Sequence, residues 1–177
     1  MFEELQKKKF LLCKGFIKPE FAAKLGSEFI SYCKAEPDKV LRDTSYYQHN
    51  YTTYMELLVE KNRNVSHFLK RNMLPTYTVA RLFNTNDFQK VATDGPSSEV
   101  GVLICLFQDS AWNLFFQTQE GYTQDYNLGF GDAMIYLASE VKHWKPRYAG
   151  ENAVYITNYY VRSRGPNSKY AFNNNLP

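Results

Sequence analysis

Tyr77-Thr-Val-Ala-Arg-Leu-Phe83 and Val100-Gly-Val-Leu-Ile-Cys-Leu-Phe107 flank Asn86-Asp-Phe-Gln-Lys-Val-Ala-Thr-Asp-Gly-Pro-Ser-Ser-Glu99. The two outer runs are short, apolar and rich in β-branched and aromatic residues, which reads as strands; Asp94-Gly-Pro between them is a turn. Trp112-Asn-Leu-Phe-Phe116, Ala133-Met-Ile-Tyr-Leu137 and Val154-Tyr-Ile-Thr-Asn-Tyr-Tyr-Val161 repeat the pattern downstream, separated by turn-rich stretches.

Upstream the period changes. Phe10-Leu-Leu-Cys-Lys-Gly-Phe-Ile17 reads as a strand that follows a solvated Lys7-Lys8-Lys9. Pro19 then opens a helix that stops near Pro37, with Phe21, Leu25, Phe29 and Tyr32 on its apolar face. Residues 38–54 are polar and tyrosine-rich, without a clean period, and read as a long loop with the character of a lid. A second helix runs from about Thr53 to Asn72, burying Leu57, Leu58, Val65, Phe68 and Leu69, and Pro75 ends it. Two helices followed by a run of strands specify an α+β domain in which helices buttress an antiparallel sandwich or barrel. With 177 residues, no internal repeat and no linker, one domain over residues 1–177 is expected, and residues 165–177 read as a polar tail.

Composition narrows the function. Lys and Arg number 21 against 18 Asp and Glu, spread along the chain, so a clustered phosphate-binding surface is absent and nucleic acid is not an expected partner. No apolar run reaches the roughly 20 residues of a membrane helix, and Met1-Phe-Glu-Glu-Leu5 has no signal-peptide character. Three cysteines in no pairing pattern suit a reducing compartment, so a cytoplasmic location is expected. The aromatic share of 16% would tolerate a homodimer surface.

Of the three histidines, His67 falls on the second helix, His49 in the tyrosine-rich stretch, and His143 just beyond a strand. His143 and Asp94, 49 residues apart at strand ends of one small barrel, offer an imidazole and a hard oxygen to one divalent metal, a donor set that suits Fe(II) or Mn(II). Asp94 is equally explained as a turn cap.

These segments together resemble the small prolyl-4-hydroxylase-like branch of the Fe(II)/2-oxoglutarate-dependent oxygenases, of bacterial and phage type. The resemblance spans about Phe10 to Val161. It is carried by Leu74-Pro-Thr-Tyr-Thr-Val-Ala-Arg-Leu-Phe83, Thr93-Asp-Gly-Pro-Ser-Ser-Glu99 with the strand after it, Gly131-Asp-Ala-Met-Ile-Tyr136 and His143-Trp144. It implies a double-stranded β-helix (a cupin-like jelly roll) with two N-terminal buttressing helices. It also implies Fe(II) and 2-oxoglutarate as cofactors. The implied reaction hydroxylates a peptidyl proline or another amino-acid-like substrate, on a protein or a small molecule, with decarboxylation of 2-oxoglutarate to succinate. Asp94 and His143 match the family's carboxylate and distal histidine. The position of the first histidine holds Ala92, so the site has two protein ligands instead of three.

A second departure concerns the base that pairs with the far carboxylate of 2-oxoglutarate. The family places it about ten residues after the distal histidine, where this chain has Ala153. Arg81, on the strand face of Tyr77, is the candidate replacement, with Arg147 and Arg162 as others; an ordinary ion pair explains Arg81 as well. Tyr46, Tyr47, Tyr51 and Trp144 are candidates for a substrate wall, or for packing. Three explanations for Ala92 stay open: an engineered His→Ala replacement, natural loss giving a catalytically inactive cupin-fold binding module, or completion of the site by another side chain, of which His49 is the candidate.

Overall fold

The computed structural model describes residues 2–36, 41–118 and 120–173. Pro37, residues 38–40 and residues 174–177, which carry the expected helix stop, the start of the expected loop and the end of the expected tail, lie outside the described residues.

Two antiparallel sheets face each other. The larger has seven strands in the order β1 (Phe10–Cys13), β9 (Ala133–Tyr136), β6 (Val100–Gln108), β11 (Asn152–Arg162), β4 (Met73–Asn84), β3 (Ser45–His49) and β2 (Leu41–Arg42). The smaller has four, in the order β5 (Gln89–Ala92), β10 (Lys142–Lys145), β7 (Asn113–Gln117) and β8 (Thr123–Asn127). Three helices, α1 (Phe2–Lys8), α2 (Pro19–Ala35) and α3 (Thr52–Leu69), and a short 3-10 segment at Ser168–Asn173 complete the described residues.

Two-residue alternation divides the large sheet between two cores. Val102, Ile104, Ala80, Leu82, Val154 and Ile156 point outward beneath α2 and α3. Leu103, Cys105, Val79, Phe83 and Tyr155 point inward against Leu114 and Phe116 of the small sheet. Because both faces are covered, the central strands read as nearly continuous apolar runs, and their identification from sequence was straightforward.

Local details differ from the sequence reading for definable reasons. Lys7 and Lys8 close α1, where cations favour the helix C-terminus, so the expected solvated lead-in to the strand is a short helix. On α2 the buried face is Ala22, Leu25, Gly26, Phe29 and Cys33; Phe21 is 45% exposed. Gly26 shifts that face, because a β-carbon there would lie 2.7 Å from Phe107 Cβ, and its absence lets α2 approach β6. The α3 helix ends at Lys70, in the left-handed conformation at φ 50°, and its buried residues include Tyr54 but not the partly buried Phe68. Pro75 lies inside β4, beside the register shift between Asn158 and Tyr160, where a missing N–H is tolerated. The expected loop contains the hairpin β2–β3, which extends the large sheet beyond β4. The C-terminal stretch is not wholly loose, since Ala171 is buried.

Gly101 and Tyr136 face each other across β6 and β9, and a β-carbon on Gly101 would lie 2.5 Å from Tyr136 Cζ. The Tyr136 ring is buried and cannot yield. Gly101→Ala is therefore expected to cost about 1–3 kcal/mol, the usual penalty of overpacking. Chemical denaturation would check this; a change below about 0.5 kcal/mol, the range of an ordinary surface substitution, would contradict it.

Candidate metal and anion site

A cavity of about 380 Å3 opens between the sheets at the end where β5 leads into the Asp94 loop. Its walls include Tyr77, Val79, Arg81 and Phe83 of β4, Ala92 of β5, His143 and Lys145 of β10, and Tyr155, Thr157 and Tyr159 of β11. Those of β4, β10 and β11 are alternate residues of their strands, as the pleat requires, whereas all four residues of β5 border the cavity.

Pairing of β10 with β5 sets His143 opposite Ala92, and Asp94 follows two residues later, tethered by its backbone N–H to the Ala138 carbonyl at 2.8 Å. The imidazole therefore stands within a strand, not beyond one, and it is buried. His143 Nδ1 lies 3.2 Å from the Val141 carbonyl oxygen. A carbonyl can only accept, so Nδ1 carries the proton and, in the neutral ring, Nε2 presents its lone pair. Burial favours that neutral ring and outweighs the Asp94 charge, which acts the other way.

His143 Nε2 faces Asp94 Oδ2 at 3.6 Å. Asp94 Oδ2 is buried without a hydrogen-bond partner. Burial raises the Asp94 pKa above its ordinary value, opposed by His143 and by the nearby hydroxyls of Tyr159 and Tyr136. Two buried acceptors thus confront each other at a separation too long for a hydrogen bond, and one that two metal–ligand bonds of about 2.1 Å readily span. The donor set, one imidazole and one carboxylate, fits a divalent first-row cation. Among the described residues no group of three His, Cys, Asp or Glu side chains could hold a metal, so this fit is with two protein donors.

Deeper in the cavity lies a group the sequence reading missed. Lys145 is 2% exposed, and its Nζ has no hydrogen-bond partner. It sits 4.1 Å from the Tyr155 ring centroid and 5.5 Å from that of Trp112. Burial lowers its pKa to about 7. A two-residue step from His143 in His143-Trp-Lys145 was the available signal: both side chains must face the same way on one strand.

Arg81 lines the same cavity, but its guanidinium is engaged. Nε donates to Ser45 Oγ at 2.8 Å, and Nη2 donates to the Arg42 carbonyl at 2.9 Å and to Asp43 Oδ2 at 3.3 Å. It pins the β2–β3 turn to β4. Asp43 also accepts the Lys90 backbone N–H at 3.3 Å, tying that turn to β5. Arg147 is bonded to the Asn86 carbonyl, and Arg162 to Glu99. The lining residues nevertheless count four basic (Arg42, Arg81, Lys90, Lys145) against two acidic (Asp43, Asp94), which favours an anion.

Of the aromatic candidates, Tyr47 and Tyr77 line the cavity, with Arg42 5.4 Å from the Tyr47 ring centroid and the Tyr77 hydroxyl 2.7 Å from Ser98 Oγ. Tyr46, one residue out of phase with Tyr47, packs toward the helices. Tyr51 precedes α3 and contacts the rings of Phe29, Tyr32 and Tyr54. Trp144 lies between two inward residues and stacks on Phe115 at 5.4 Å, so it faces away. His49 contacts the Tyr77 ring at 5.0 Å and is not a lining residue, so it does not complete the metal site.

No protein-family model and no curated protein matches the chain. Solved structures share its fold. A prolyl-4-hydroxylase from Pseudomonas putida is 14% identical, with 93% of this chain and 97% of that one covered and a TM-score of 0.71. SnoN, a non-heme alpha-ketoglutarate-dependent epimerase from nogalamycin biosynthesis, is 10% identical over 91% and 80%, with a TM-score of 0.78. The collagen prolyl hydroxylase of Paramecium Bursaria Chlorella virus-1, solved as its 2OG complex, is 10% identical over 88% and 97%, with a TM-score of 0.67. The expected jelly roll is therefore the fold, with three helices among the described residues instead of two. No described helix is long and apolar enough to cross a membrane.

Proposed function

We propose that this chain is an oxygenase-type protein that holds Fe(II) between Asp94 and His143 and binds 2-oxoglutarate in the same cavity. The observation that carries this reading is the buried, unsatisfied Asp94 Oδ2, which faces Nε2 of the buried His143 at 3.6 Å. The excess positive charge of the cavity suits a dianionic oxo acid, and Lys145 supplies an unpaired cation for its far carboxylate. When bound, Fe(II) would let O2 oxidise two partners at once, 2-oxoglutarate to succinate and CO2 with one oxygen atom and a substrate C–H bond to C–OH with the other. The chain's own contribution is to hold the imidazole in one tautomer through Val141, to set Asp94 Oδ2 facing that ring, and to exclude water with Tyr77, Tyr155 and Tyr159. A peptidyl proline or other amino-acid-like substrate is proposed from the likeness to two prolyl hydroxylases. SnoN, an epimerase on the same fold, shows that the scaffold alone does not choose the reaction.

Ala92 favours a second reading, a binding module that retains the oxo-acid cavity without turnover.

The first reading is tested by anaerobic Mn(II) titration in the presence of 2-oxoglutarate, for the unmodified chain and for His143→Ala and Asp94→Ala. Measurable Mn(II) binding is expected, weakened at least tenfold in each variant, as loss of a charge-assisted or metal contact implies. Equal binding by all three proteins would remove the site. Succinate formation under oxygen separates the two readings, being expected for the oxygenase and absent for the module.

A further inference from the structure

Resting on the oxo-acid reading above, we infer that Arg42 is a specificity-determining residue of the same cavity, and that the substrate it selects is an amino-acid-like molecule bearing a carboxylate. The charges lining the cavity leave this one cation without a counter-ion. Asp43 accepts from Arg81 Nη2 at 3.3 Å and lies 3.9 Å from Lys90 Nζ. Asp94 faces His143, and Lys145 is the cation proposed for the far carboxylate of the oxo acid. Among the described residues no carboxylate pairs with the Arg42 guanidinium; its Cζ stands 5.4 Å from the Tyr47 ring centroid instead.

Position and chemistry fit the recognition of one carboxylate. Arg42 and Tyr47 both line the cavity. The Arg42 main chain is fixed, its carbonyl accepting from Arg81 Nη2 at 2.9 Å and from Ser45 Oγ at 3.1 Å, so the side chain extends from an anchored point. An aromatic face attracts a cation through its quadrupole but does not take up a fork of N–H donors, which leaves the planar guanidinium edge to a ligand. That fork matches a carboxylate bidentately. One guanidinium balances the single charge of a carboxylate and not a phosphate dianion, since the neighbouring Lys90 is turned to Asp43. The carboxylate belongs either to a free amino acid or to an acidic side chain next to the reacting residue of a peptide.

The test is calorimetry on the whole chain, with and without saturating 2-oxoglutarate. It compares N-acetyl-L-proline with N-acetyl-L-prolinamide, and acetyl-Pro-Glu-amide with acetyl-Pro-Gln-amide. In at least one pair the acid is expected to bind at least about tenfold more tightly than its neutral counterpart, the worth of one charge-assisted contact, and rising ionic strength should reduce the difference. Arg42→Gln, checked for fold by circular dichroism, should bind acid and neutral forms equally. Arg42→Lys should recover only part of the preference, because it lacks the fork, and Lys90→Gln should retain it. A preference within the N-acetylproline pair assigns the amino acid's own carboxylate; one confined to the peptide pair assigns an acidic side chain. Equal affinity within both pairs, no binding of any of the four compounds, or a preference that survives Arg42→Gln overturns this inference. A chain that binds no 2-oxoglutarate yet prefers the acids through Arg42 overturns the oxo-acid reading alone and leaves Arg42 as the acid-selecting residue of a binding module.

Discussion

Ala92→His is expected to raise the affinity for Fe(II) or Co(II) by at least about 100-fold, the upper end of what even an outer-shell partner contributes to a metal site. The new imidazole would stand on β5 directly across from His143, on the wall it shares with that residue and two positions before Asp94. No backbone movement is needed, since the edge strand already places this side chain at the cavity. Residue 92 is exposed and belongs to neither apolar core, so stability should change by less than about 0.5 kcal/mol, as at other surface positions. Bound metal by calorimetry and succinate formed under oxygen are the two readouts. A variant that binds iron no better than the parent would show that Asp94 and His143 do not converge on a cation.

Lys145→Met should have the second large effect, in two opposite directions. The buried ammonium has no partner, and its pKa falls to about 7 against an ordinary 10.5, so folding carries a penalty whenever this group is charged. Below pH 7 the lysine is protonated in both folded and unfolded chains, and the penalty is fully present. Between pH 7 and about 9.5 the unfolded chain binds more protons than the folded one, so stability rises with pH. Above that range the buried tyrosines Tyr136, Tyr155 and Tyr159, whose pKa values burial raises, bring the opposite slope. Methionine, of similar length and uncharged, should stabilise the ligand-free protein near neutral pH by something on the order of 2–4 kcal/mol and flatten that slope. The same change should weaken 2-oxoglutarate binding roughly 10- to 100-fold, the worth of one charge-assisted contact. Denaturant midpoints from pH 6 to 9 and calorimetry with 2-oxoglutarate would check both. A less stable variant with unchanged binding would assign Lys145 to packing alone.

The sequence made the central strands legible because both of their faces are buried, as in Val100–Gln108 and Asn152–Arg162. It hid β5, β8 and β10, whose residues, such as Thr123-Gln-Asp-Tyr-Asn127, are polar on the solvent face and too short for a convincing period. The hairpin at 41–49 escaped for a related reason: it is held by Arg81 and by pairing to β4, both contributed from far along the chain. Asp94 and His143 were suggested as a pair by their chemistry, with a turn cap as the other explanation of Asp94, and were matched to a ligand set only by the family resemblance; the structure sets them 3.6 Å apart. Lys145 was not, because its two-residue step from His143 carries information only when β10 is known to be a strand, and that step does not tell that the lysine loses its water. Alternation could have separated Tyr47 from Tyr46 and Lys145 from Trp144, once the strands containing them were known.

Asp43 reaches both sheets at once, accepting from Arg81 of β4 and from the backbone N–H of Lys90 of β5. A single carboxylate therefore acts as a latch across the cavity mouth, and its hold is electrostatic on the Arg81 side. Rising ionic strength should loosen it, so that the Lys90 amide exchanges its hydrogen faster while the paired amides of β11 stay protected. The rate at which ligands enter and leave would then be set at this corner, independently of the affinity fixed deeper in the cavity.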